Sequence, residues 1–286
     1  MTIEQHIKKS FKRLSEAEYS SEKVWQPKDY EWPGDWEGRA LLAITSLNSI
    51  SDEENEYVHN IVADLKNHVN SQGFLGHEYI EGEVDEQQLA GHTWLVRGLL
   101  LYHNLYKSQE AFEYAKRIVY NLYMPIIDAV DTYPLERDME DDGGVAGHNK
   151  LVLSGWRVST DIGCAFVGLD GLTTYYEQTR DENVRPLIDK LINKFYSIDK
   201  VALRAQTHAT LTAARSIMRM YLVTKEEKYL EMARDELEKY LEFGTTATYE
   251  NYNWFGRPDT WTEPCAVVDS FMLITALMIL QGTKNT

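Results

Sequence analysis

Cysteine is nearly missing from this chain: two residues in 286, Cys164 and Cys265, are too few and too far apart for a disulfide framework. Basic charge is also short. Lys and Arg number 29 against 45 Asp and Glu, and no basic stripe locally offsets the formal net charge of -16. Phosphate backbones and anionic lipid surfaces are repelled by such a surface, which argues against nucleic acid and membrane as partners. No apolar run reaches transmembrane length. The first 25 residues are charged and lack the apolar core of a signal peptide, so a cytoplasmic location is the expectation. Linker-like stretches and runs of strand-like alternation are scarce, which leaves one domain over residues 1–286, 43% hydrophobic and able to bury a large core.

Helical periodicity is what the chain has in abundance. After an amphipathic segment over 3–19, four helical hairpins are predicted: 36–50 with a second helix carrying Val58, Ile61, Val62, Leu65 and Val69; 87–106 with 110–122; 161–178 with 184–195; and 207–223 with 227–243. Ser51, Thr179 and Thr224 each have Glu three residues on, the signature of a capping box, while Ser108 heads its turn without that Glu. Consecutive αα-hairpins close into a ring or stack as a solenoid, and the rich loops favour the ring, an all-α, (α/α)6 barrel-like toroid. The returns between hairpins should share one end. Five helix N-termini then converge on a mouth whose N–H groups suit hydroxyls, carboxylates or thiolates.

Several residues near that mouth have chemical potential. His92 shares a stripe with Leu95, Leu99, Tyr102 and Tyr106, and His208 lies one turn before Leu211; each reads as a satisfied core histidine or as a ligand contact. Their equivalent places in two hairpins favour contact with a ligand. Asp35 and Asp161 stand at helix starts, where capping is the first explanation and sugar binding the second. Indole faces stack on sugar rings as well as filling cores, which makes Trp36 and Trp254 candidates. Asp138, Glu140, Asp141 and Asp142 read as a solvated acidic loop, and His148 as a loop residue.

The segment after residue 245 joins a polar aromatic loop to a helix, 266–280, in which Asp269, Ser270 and Thr275 alone are polar. An all-round apolar helix is a buried one, yet no partner helix follows it, so its flank should promote self-association as a homo-oligomer. Glu250 and Glu263 put two carboxylates on the mouth, the usual equipment of glycoside hydrolysis. In the first turn of its helix Cys265 is placed where the dipole favours a thiolate, though an inert buried thiol is the plainer reading. Glu263-x-Cys265 offers two zinc ligands from one turn, and tetrahedral zinc needs two more.

The run from Thr248 through Tyr249, Glu250, Asn251, Tyr252, Asn253, Trp254, Phe255, Gly256 and Arg257 to Pro258, followed by Trp261 to Ala266, resembles the loop and Glu-x-Cys motif of the β-L-arabinofuranosidase family, glycoside hydrolase family 127. Gln206 to Thr210 and the 87–106 segment are similar to that family's barrel. The resemblance implies a retaining glycosidase acting on arabinofuranoside-type or related plant glycans through a cysteine nucleophile held on zinc. Glu263 and Cys265 would be zinc ligands, Glu250 the general acid/base, and His92 and His208 sugar contacts. The family's nucleophile belongs to a further cysteine pair towards the C-terminus, and this chain has none there. It therefore carries half a zinc site. The expectation is an N-terminal barrel portion of a longer hydrolase, inactive alone, with a non-catalytic carbohydrate-binding protein or a helical interaction scaffold as the alternatives.

Overall fold

The computed structural model describes residues 2–137, 151–159 and 161–284, without the side chains of 281, 283 and 284. Asp138, Glu140, Asp141, Asp142 and His148 lie outside the described residues. Ten α-helices are described, in two compact units, Met1–Asp128 and Ala129–Thr286.

In the first unit α1 (Ile3–Leu14) begins with a true capping box between Thr2 and Gln5, and none of its residues is buried. An open groove of about 710 Å³ runs between α1 and the turn containing Ile50 and Asp52. The unit is built on the packing of α2 (Asp35–Asn48) against α4 (Glu86–Tyr106). Glycine permits their close approach. A Cβ on Gly38 would stand 2.5 Å from the Trp94 carbonyl carbon and 2.7 Å from Leu95 Cα, backbone that cannot swing aside. Around this seam pack α3 (Tyr57–Asp64), which buries Val58, Ile61 and Val62, and α5 (Gln109–Ile118), which continues into a π turn.

The second unit is organised by α8 (Thr207–Thr224), which is buried along nearly its whole length between α6 (Leu169–Thr179), α9 (Glu227–Phe243) and α10 (Pro264–Lys284), with α7 (Arg185–Tyr196) against α6. A short antiparallel hairpin, Leu151–Leu153 with Trp156–Val158, turns on Ser154 and Gly155, both at positive φ. Strand periodicity cannot reveal a pair this short. Trp156 anchors it, 1% exposed, its Nε1 donating to Ala129 O at 3.2 Å.

The predicted hairpins occur within a few residues of their expected bounds except at 161–178, where α6 begins only at Leu169 after a 3-10 turn over Cys164–Gly168, and the capping boxes at Ser51, Thr179 and Thr224 do not occur. Thr179 and Thr224 are the last residues of α6 and α8, and their hydroxyls donate backwards to Tyr175 O and Met220 O. What three turns share is a C-terminal device: Lys107, Arg180 and Lys225 follow their helices at φ 59, 54 and 63, each N–H closing on the carbonyl four residues back. Ser51 accepts from Glu53 N, six residues before α3 starts, because Asn48 and Asn55 clasp a longer turn there. Ser108, without the Glu, is a genuine cap that accepts from Ala111 N.

Candidate functional site

In the second unit three backbone segments meet at the start of α8. Gln206 N donates to Ile162 O, Thr207 N to Asn253 O, and Phe255 N to Ala205 O, while Gln206 and Trp254 form an antiparallel bridge. This weave draws the aromatic loop over residues 161–163. Asp161 becomes its centre: 2% exposed, with Oδ1 accepting from Trp254 Nε1 at 2.8 Å and Oδ2 from Gln206 Nε2 at 3.1 Å. Asp161 is thus a buried acceptor rather than the helix cap expected, because the loop brings it better donors than the local backbone does. Trp261 packs edge-on against Trp254, ring centroids 5.2 Å apart, and is itself 46% exposed.

Next to this cluster, the buried side of α8 carries a charged network. His208 Nδ1 lies 3.0 Å from Asp269 Oδ2, and Thr212 Oγ1 donates to the same oxygen at 2.6 Å. Arg215 Nε stands 3.2 Å from Asp269 Oδ1, an ion pair without hydrogen-bond alignment, while its Nη2 donates to Asp170 Oδ2 at 2.6 Å. Arg219 Nη1 donates to Asp170 Oδ1 at 2.6 Å. Burial pushes the Asp269 carboxyl up, but His208, Arg215 and Thr212 outweigh it and hold it below the usual carboxylate range. Arg215 Nη1 is buried with no partner, and so are Asn251 Oδ1 and both amide atoms of Asn253. The Asn251 and Asn253 atoms lie in the loop that carries Trp254, and unmatched polar atoms there are what internal water or a polar ligand would satisfy.

The structure gathers some expected residues and separates others. Asp161 and Trp254 are bonded to each other, and His208 follows Gln206 into α8. Glu250 is exposed on the rim, next to the Thr245–Asn251 bridge that closes its turn. Glu263 and Cys265 enter α10 half-buried. Among the described residues no group of three or more His, Cys, Asp or Glu could hold a metal, so Glu263 and Cys265 fall short of a zinc donor set.

Asp35, Trp36 and His92 belong to the first unit. Asp35 is not a cap either: Gly34 occupies the cap position at φ 88, and the Asp35 carboxylate accepts from Arg39 Nε at 2.8 Å. Trp36 stacks on Tyr19 at 5.7 Å. His92 has no exposed surface; Nδ1 meets Gln88 O at 2.8 Å and Nε2 accepts from Leu75 N at 3.0 Å. An Nε2 that accepts fixes the Nδ1–H tautomer, and burial lowers its pKa to about 4. The core reading of His92 prevails. Close by, a cavity of about 40 Å³ is lined by Trp25, Tyr30, His68 and Glu37, whose Oε2 is buried without a partner. Asp269 is legible in the sequence only as a lone acid in an apolar run, and Arg215, on the mixed helix α8, has no such signal.

No protein-family model matches the sequence, and no curated protein matches it. Among solved structures, the chain is similar to a selenomethionine derivative of the GH76 alpha-mannanase from Bacteroides thetaiotaomicron, with a TM-score of 0.57 and 14% identity over 87% of this chain and 71% of that one. That likeness is one of fold. It bears out the all-α, (α/α)6 hairpin class expected from the sequence and does not single out family 127.

Proposed function

We propose that this chain carries the carbohydrate-recognising site of a glycoside hydrolase acting on arabinofuranoside-type or related plant glycans. The observation that carries the reading is the bond from Trp254 to buried Asp161 with Trp261 half-exposed against it, on a fold similar to that of a glycosidase. Asp161 fixes the plane of one indole, and the second indole offers solvent the apolar edge and face on which a sugar ring stacks. Glu250, exposed on the rim of the same loop, is the residue to which the general acid/base role falls in this reading.

A non-catalytic carbohydrate-binding protein is the second reading, favoured by the short metal-donor set. Calorimetric titration with arabinofuranose oligosaccharides, and with manno-oligosaccharides in parallel, tests the shared claim. Saturable binding is expected, weakened about tenfold or more by Trp261→Ala, as loss of one stacking partner implies. Absence of saturable binding to both series at millimolar ligand would overturn it. Turnover of either series that Glu250→Gln abolishes would mark a hydrolase, and binding without turnover the binding protein.

A further inference from the structure

The turn that leads into α8 is exposed at Asp199, Ala202 and Arg204, yet Lys200 within it is 2% exposed. Its Nζ donates to Glu236 Oε1 of α9 at 2.9 Å and stands 4.1 Å from the centre of the Phe195 ring. Glu236 has no exposed surface, and its Oε2 is buried without a partner. Such a pair is a poor source of stability, because both charges are stripped of water and apolar side chains of the same volume commonly do as well. What it does supply is a fixed position. Lys200 also closes the turn with its backbone, its carbonyl accepting from Ala205 N at 2.9 Å, while Leu203 N donates to Asp199 O and Arg204 takes up φ 51. Lys239 donates to the same Glu236 oxygen at 3.0 Å, but from within α9, so it ties nothing to the turn.

The far end of this turn enters the candidate site. Ala205 O accepts from Phe255 N at 3.1 Å, Gln206 N donates to Ile162 O at 3.1 Å, and Gln206 Nε2 reaches Asp161, which in turn holds the Trp254 indole. These bonds leave the chain at the residue that closes on Lys200 O and at the one after it. A turn free to shift would carry Ala205 and Gln206 with it, and a binding surface keeps its geometry only where the groups behind it are themselves held. We propose that Lys200 is a positioning residue of the sugar site: by tying the 199–205 turn to α9, it sets where Ala205 and Gln206 meet the aromatic loop. The role rests on the carbohydrate reading of the Asp161 cluster, but the tie itself is measurable without a sugar.

Hydrogen exchange at the indole N–H groups of the full chain tests the tie, with Trp156 as internal reference, because its Nε1 donates to Ala129 O and to no residue of the turn. Lys200→Met combined with Glu236→Met replaces the ion pair by apolar side chains of similar volume and should keep the melting temperature or raise it. In this variant the Trp254 N–H should exchange at least about tenfold faster while Trp156 is unchanged. Affinity for whichever oligosaccharide series binds the wild type should fall by at least about fivefold. Lys239→Met, which removes the ammonium that does not reach the turn, should change neither. Lys200→Gln, which shortens the tie, is read in the same way if the double variant does not fold. Unaltered Trp254 exchange, Trp254 and Trp156 rising together, or an equal effect of Lys239→Met would each overturn the proposal. Failure of the wild type to bind either series would overturn the carbohydrate reading instead, and the exchange comparison would still decide whether Lys200 positions Trp254.

Discussion

His92 gives the sharpest test of how the first unit is built. Its imidazole is held neutral: Nε2 must remain unprotonated to accept from Leu75 N, and Nδ1 is engaged with Gln88 O. Burial lowers the folded pKa to about 4 from an ordinary 6.5. Because the folded value lies below the unfolded one, the unfolded chain binds more protons as acid is added. The stability is therefore fully present above pH 6.5 and is lost as pH falls from 6.5 through 4. Linkage gives a loss of about 1 kcal/mol by pH 5.5 and between about 2 and 3 kcal/mol by pH 4.5. Urea unfolding of wild type and His92→Gln at pH 7.5, 6.5, 5.5 and 4.5 isolates the residue's share. Glutamine can still accept from Leu75 N, and the variant should be less stable at pH 7.5 by about 1–2 kcal/mol. Lacking the titrating ring, it should overtake wild type by pH 4.5. A stability gap that is constant with pH, or an NMR titration of His92 near 6.5, would refute the reasoning.

Two other substitutions test the packing. Gly38→Ala adds a methyl 2.7 Å from Leu95 Cα, overpacking worth about 3 kcal/mol against a helix-propensity gain of about 1, so the melting temperature should fall by about 4–8 °C. Gly98→Ala, whose Cβ would meet Leu41 Cγ and Leu42 N at 3.1 Å, should come out near neutral by differential scanning calorimetry, and equal losses at both sites would contradict the seam. Asp269→Ala leaves Arg215 with one carboxylate partner and should cost about 3 kcal/mol or more at pH 7. With its folded pKa held below 3.8, Asp269 contributes fully above about pH 4, and the contribution is lost as pH falls through the folded value. Denaturation curves of wild type and variant should accordingly converge in acid; a gap undiminished at pH 2 would count against the ion pair.

The sequence by itself determined the helices and their order, since a 3.6-residue period and a turn between two such periods are local properties. The segment 227–243 matches α9 to the residue, and the apolar run over 266–280 lies within α10. Turn chemistry was less legible. A Thr with Glu three residues on suits a cap and a helix end equally well, and at Thr179 and Thr224 the choice was made by the chain continuing helical until Arg180 and Lys225 entered the left-handed region. Side-chain roles were decided by tertiary structure alone. His92 and His208 occupy similar places in their helices, yet one is closed off by Leu75 N, which is 17 residues away, and the other is joined to Asp269, 61 residues away. Asp161 read as a cap until the aromatic loop carried Trp254 to it across 93 residues. Periodicity reports which face a residue occupies, but the donor or charge that meets it arrives from a distant segment, and only the folded chain brings the two together.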